Sequence, residues 1–162
     1  MTGRSATAAT TTRGRRPVQT AAAVVAVVFL IVGVLGFIPG VTSNYEDLTF
    51  AGHHSGAMLL GLFAVSILHN IVHLLFGVVG LALARNPGGA RGYLVLGGFV
   101  YLLLWIYGLV IDQQSGANFV PLNGADNWLH LGLGVGMIAL GWGLTAVERG
   151  RETRAARETP GA

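Results

Sequence analysis

The chain has no cysteine and no lysine, and only 10% of its 162 residues are charged. Without cysteine there are no disulfides, no thiolate metal sites and no lipidation through sulfur. An ordinary soluble domain carries roughly 25% charged residues, so this chain cannot solvate a globular surface in the usual way. Reaction motifs are missing too. There is no Ser-His-Asp set, no H-E-x-x-H, no phosphate-binding glycine loop and no clustered carboxylate pair, so the residues point to no enzyme.

Four apolar runs occupy most of the chain, at 18–38, 57–84, 92–111 and 127–147. None contains Asp, Glu, Lys or Arg before its last residue or two. Each is about 20 residues or longer, enough to cross a hydrocarbon core of about 30 Å. The expected fold is all-α: a polytopic membrane protein, a bundle of four transmembrane helices over 17–147. Residues 1–16 are read as a disordered cytoplasmic N-terminus and 148–162 as a basic cytoplasmic tail. Run 18–38 is too long for the apolar region of a signal peptide, so it is read as a retained span.

The arginines orient the chain. Arg13, Arg15 and Arg16 precede the first run, Arg85 and Arg91 flank the second link, and Arg149, Arg151, Arg154 and Arg157 follow the last. The other two loops hold Glu46, Asp47, Asp112 and Asp126 and no arginine. Positive residues stay on the cytoplasmic side, which puts both termini inside a plasma membrane. All-arginine basic usage with abundant Ala, Gly and Val reads as the codon bias of a GC-rich bacterial genome. The basic clusters are juxtamembrane and form no single face, so no nucleic-acid partner is expected. The partner is the lipid bilayer; a further membrane protein or a homo-oligomer is compatible with the pattern.

Several local expectations follow. Pro87-Gly88-Gly89 stops one helix and allows a tight reversal. Asp126 N-caps the fourth helix. The tail frays in solvent, with Glu148, Glu152, Arg154 and Glu158 offering pairs along it. A single helix over 57–84 would be about 43 Å long at about 1.5 Å per residue, so that span must tilt or begin as an interfacial segment.

The second and fourth runs share a phrase. Asn70-x-x-His73-Leu74-x-x-Gly77-Val78 matches Asn127-x-x-His130-Leu131-x-x-Gly134-Val135. The match suggests a duplicated two-helix hairpin, with parallel repeats related by an axis along the membrane normal. His69, Asn70 and His73 lie on one helical sector above Gly77 and Gly80, and His130 sits above Gly134 and Gly141. Polar groups over small residues mark faces turned to protein. Spans two and four are therefore expected to face each other, with Asn70, His73, Asn127 and His130 near their contact.

The candidate polar cluster is His69, Asn70, His73, Asn127 and His130, with His53, His54, Asp112 and Asp126 as outer-loop candidates. Its plainest reading is interhelical hydrogen bonding in a structural or partner-binding bundle, each bond worth about 0.6 kcal/mol. No cofactor is required by that reading. The alternatives are metal or haem ligation by His69, His73 and His130, and translocation of a small solute or protons.

Gly52-His53-His54-Ser55-Gly56, Leu68-His69-Asn70-Ile71-Val72-His73-Leu74-Leu75-Phe76-Gly77, Tyr107-Gly108 with Asp112, and Asp126-Asn127-Trp128-Leu129-His130 stand together here. With these phrases the chain resembles a bacterial family of four-span membrane proteins catalogued as domain of unknown function 4383. The resemblance runs from about residue 17 to 147. It implies the fold and a plasma-membrane location, and assigns no residue a catalytic role.

Overall fold

Pro17 opens the first helix, α1 (Pro17–Leu35), in a computed structural model that describes residues 14–158. Proline suits a first helical position because its missing N–H would be unpaired there anyway. Of the N-terminal segment 1–16, residues 1–13 lie outside the described residues. Ser66 caps α2 (Ile67–Leu83), its Oγ accepting from the His69 amide at 3.1 Å. Asn86 caps α3 (Pro87–Val110), its Oδ1 accepting from the Gly89 amide at 2.6 Å. Pro87-Gly88-Gly89 thus begins a helix, where a stop was expected. Proline at the first helical position after an asparagine cap explains the reversal of sense.

The fourth helix, α4, runs over Gly124–Glu158. Asn123 Oδ1 accepts from the Asp126 amide and Asp126 Oδ2 accepts from the Asn123 amide, both at 3.0 Å. This is a reciprocal capping box, so Asn123 is the cap and Asp126 the carboxylate inside the first turn. The tail, expected to fray, continues the helix to Glu158. Arg16 reaches Glu152 at 3.1 Å and Glu148 at 3.9 Å, and Glu148 Oε1 accepts from the Val18 amide at 3.1 Å. The acidic residues hold the start of α1 instead of pairing along their own helix.

The largest departure lies in run 57–84. Only its later part is helical. Before it, β1 (Thr42–Ser43), β2 (Met58–Leu59) and β3 (Phe63–Ala64) form a small antiparallel sheet in that order. Leu60 and Gly61 have φ of 55° and 69°, left-handed values that turn the chain between β2 and β3 and cannot continue a right-handed helix. Leu59 and Ala64 face inward while Leu60 and Leu62 are exposed. An apolar roof and an apolar span have the same composition; the backbone at Leu60-Gly61 separates them.

Three helices, α1, α3 and α4, are long and apolar enough to cross a membrane. The fourth, α2, has 17 residues and is equally apolar in character. Their outward faces carry exposed aliphatic side chains, among them Ile31, Leu75, Val78, Leu103 and Val135. A surface of that kind belongs in lipid.

The helices pair as neighbours in sequence: α1 with α2, and α3 with α4. Glycines make the pairing close. A Cβ on Gly77 would meet Leu30 and the Ala26 carbonyl, and one on Gly134 would meet Leu102 and the Gly98 carbonyl. Gly36 lies against the Asn70 amide, and Gly108 against the Asn127 amide. Each α3 partner here stands 72 residues after its α1 counterpart, and each α4 partner 57 after its α2 counterpart. These contacts recur in both hairpins. They meet through Ala22, Ala26 and Phe29 of α1 with Ala90, Leu94 and Tyr101 of α3.

The expected face-to-face packing of spans two and four is overturned, because α2 and α4 barely touch. A stripe of small residues shows that a helix is closely packed but does not identify its neighbour. Here both stripes are used inside their own hairpin.

Candidate functional site

An imidazole-walled chamber lies between the outer halves of the hairpins. Ser66 starts α2 so that His69 falls in its first turn and His73 one turn further in. Their rings stack at 4.4 Å with 30° between planes. His73 Nδ1 is 3.0 Å from the His69 carbonyl oxygen. A carbonyl only accepts, so that nitrogen carries the hydrogen and Nε2 is left as an acceptor. His130, on the other hairpin, is buried with its ring 5.2 Å from Tyr101. His69 Nδ1 and His130 Nδ1 are both buried with no hydrogen-bond partner.

Two cavities meet at these rings. One, of about 110 Å³, lies between α1 and α4, walled by Val32, Leu35, Leu129 and Leu133 and roofed by Leu59, Phe63 and Val65. The other, of about 120 Å³, lies between α2 and α3, walled by Val72, Leu104 and Tyr107 and roofed by Phe119, Val120 and Leu122. His69, His73 and His130 line both. The walls obey the same repeat as the helix contacts: Val32 and Leu35 correspond to Leu104 and Tyr107, and Val72 to Leu129.

Below the rings the space is filled. Phe29 stacks on Tyr101 at 5.5 Å and meets Phe76 edge-on at 4.9 Å. Phe29 is 5.5 Å from His73, as Tyr101 is 5.2 Å from His130. Phe29 and Tyr101 are themselves equivalent positions, so they stack about the local axis and floor the chamber. Above, the two outer loops are tied together. Asp126 Oδ2 accepts from the Ala64 amide at 3.0 Å, Asn123 Nδ2 donates to the Leu62 carbonyl at 2.9 Å, and the Gly52 amide donates to the Phe119 carbonyl at 2.6 Å. Asn118 braces the second loop by bonding Gln113 and both backbone groups of Leu122.

Of the expected cluster, His69, His73 and His130 come together. Asn70 and Asn127 do not join them, since each amide packs against the glycine of its own hairpin, Gly36 or Gly108. Asp126 lines the α1–α4 cavity. His53 and His54 stack on each other at 3.9 Å in the first outer loop and line neither cavity. Asp112 closes a turn by accepting from the Gln114 amide at 2.9 Å. Among the described residues no three His, Asp or Glu side chains are arranged to hold a metal ion. Sequence reasoning misses Phe29, Tyr101 and the roof. Starting the repeated phrase one residue earlier pairs His69 with Asp126, and a matching offset pairs Phe29 with Tyr101.

A family model described as a domain of unknown function (DUF4383) matches residues 19–143, which span all four helices. No curated protein and no solved structure matches the chain significantly.

Proposed function

The chain belongs to the DUF4383 family, and we propose that it is a four-span membrane protein that binds a small molecule in the chamber beneath its outer cap. α2 is read as the fourth span. It has 17 residues, at the short end of the roughly 17–25 that cross a bilayer, and it exposes Val72, Leu75, Val78 and Val79 outward. The arginine clusters put the termini in the cytoplasm and the roofed chamber near the outer face of a bacterial plasma membrane. The repeated contacts of the two hairpins favour origin by duplication. The proposed role is binding, with no bond-making step.

One observation carries the binding role. Buried polar groups normally find partners, yet His69 Nδ1 and His130 Nδ1, on residues that line both cavities, have none. A pocket that is largely apolar with a few convergent polar groups is the usual form of a ligand site. The test is native mass spectrometry of protein released gently from nanodiscs. A retained small mass, lost in the cavity-filling variants Val32→Trp and Leu104→Trp, is expected. Recovery of protein with no adduct from native membranes, and no stabilisation by any apolar compound in a broad thermal screen, would remove the proposal. Reporter fusions at the C-terminus test the topology, which fails if the tail is outside.

Haem iron between His73 and His130 is a second reading, favoured by their equivalent places on separate hairpins. The Phe29–Tyr101 stack already fills the ground between those residues, which makes haem the weaker occupant. Absorbance in the Soret region decides.

A further inference from the structure

The chamber's shape and its unpaired nitrogens together define a chemical class. We infer that its ligand is a lipid-dissolved ring carrying oxygens at opposite ends, the head group of a membrane quinone or quinol. This rests on the binding role proposed above.

Access comes first. The roof is closed by bonds between the two outer loops at Ala64, Leu62 and Gly52. The floor is closed by Phe29, Phe76 and Tyr101. The sides are different. Val72 and Leu129 wall the cavities and are nonetheless 47% and 42% exposed on the outer surface of the bundle. A residue that does both marks the edge of a gap. Glycine contacts seal each hairpin internally, so the inferred way in is sideways, between the hairpins at Val72 and Leu129.

Size and polarity come next. An apolar cavity of about 150 Å³ holds a benzene ring; each of these, at about 110 and 120 Å³, is smaller, so a six-membered ring is accommodated with part of it in the open side and its substituents beyond the gap. The polar groups shared by both cavities are the three imidazoles, with Asp126 at the edge of one cavity and Tyr101 and Tyr107 at the edge of the other. Neutral imidazole offers one donor and one acceptor. His73 Nε2 is an acceptor because its Nδ1 already donates to the His69 carbonyl. A quinol hydroxyl satisfies it. A quinone carbonyl satisfies a ring N–H of His130, whose Nδ1 is buried without a partner. Apolar rings without oxygens leave all of them unpaired. The site also has approximate two-fold character, His73 with Phe29 against His130 with Tyr101. A ring with oxygens at both ends has the same symmetry.

Duroquinone, its reduced quinol and durene make the test, because durene has the same ring and methyl groups without oxygens. Binding is measured by thermal shift and by titration in nanodiscs. The chain has no cysteine, so a quinone cannot be captured through sulfur. Duroquinone or its quinol is expected to bind about tenfold or more tightly than durene, the effect of one buried hydrogen bond. His73→Phe and His130→Phe are expected to lower that affinity toward durene's. Val32→Phe, which keeps every histidine, is expected to weaken both compounds by filling a cavity. Equal binding of durene and duroquinone overturns the quinone assignment and leaves the binding role intact. So does retention of a native ligand that is not a quinone. Failure of all three compounds, with no native ligand retained, overturns both.

Discussion

Asp126→Ala tests whether the roof is held from the helix below it. Asp126 is 2% exposed, and its Oδ2 accepts from the amides of Ala64 and Asn123, both at 3.0 Å. The Ala64 bond is buried and joins residues far apart in the chain. Removing the acceptor leaves the buried Ala64 N–H unsatisfied, which costs about 1–3 kcal/mol. The Asn123 bond is half of a capping box at a partly exposed position and contributes about 1 kcal/mol. Alanine removes the acceptor of both bonds, for a loss of about 2–4 kcal/mol. Asparagine keeps an oxygen in place and should cost about 1 kcal/mol. Hydrogen exchange reads the difference locally. A roof weakened by about 3 kcal/mol opens about 100-fold more often, so the Ala64 amide should exchange about 100-fold faster in Asp126→Ala. The Asp126→Asn variant should change it by less than about tenfold. Unaltered exchange at Ala64 in the alanine variant, or equal effects of the two substitutions, would refute the role of this carboxylate as the roof's anchor.

Gly36→Ala and Gly108→Ala should each lower stability in detergent titrations by about 1–3 kcal/mol, the cost of overpacking, because the added methyl falls on the Asn70 or Asn127 amide. Equivalent positions should give similar losses, and a large loss at one with none at the other contradicts the repeat. Cysteines at 30 with 77, or at 102 with 134, should crosslink on oxidation, since those positions touch; a pair at 77 with 134 should not. Arg16→Ala removes a partly exposed pairing with Glu148 and Glu152. It should cost no more than about 1 kcal/mol while speeding tryptic cleavage at Arg151 and Arg154.

The helices were legible in the sequence because a span needs only length and apolarity, and charge-free runs supply both. The polar trio was legible because histidine under an interface has to face protein. The roof was hidden by the same logic. Ala57 and Leu59 are buried under it, so its strands carry the composition of a span, and a two-residue turn at Leu60-Gly61 leaves almost no compositional trace. The start of α3 was misread because proline and glycine punctuate both ends of helices; Asn86, three residues after the end of α2, was the residue that decided it. The neighbour of each small-residue stripe was not legible at all. Gly77 and Gly134 look alike because they do the same work in different hairpins, and likeness of that sort says nothing about contact between them.

The repeat also explains why the chamber is uneven. His69 and Asp126 occupy equivalent places, each one residue ahead of the same Asn-x-x-His phrase. In one hairpin the residue is a carboxylate that accepts two backbone bonds and holds the roof. In the other it is an imidazole that stacks on His73 and keeps a buried nitrogen without a partner. A symmetric pair of anchors would tie the roof from both hairpins, and a symmetric pair of imidazoles would leave it with the bonds at Leu62 and Gly52. The difference at this position gives one hairpin a carboxylate that anchors the roof and the other an imidazole whose Nδ1 has no partner, while His73 and His130 are the same residue in both.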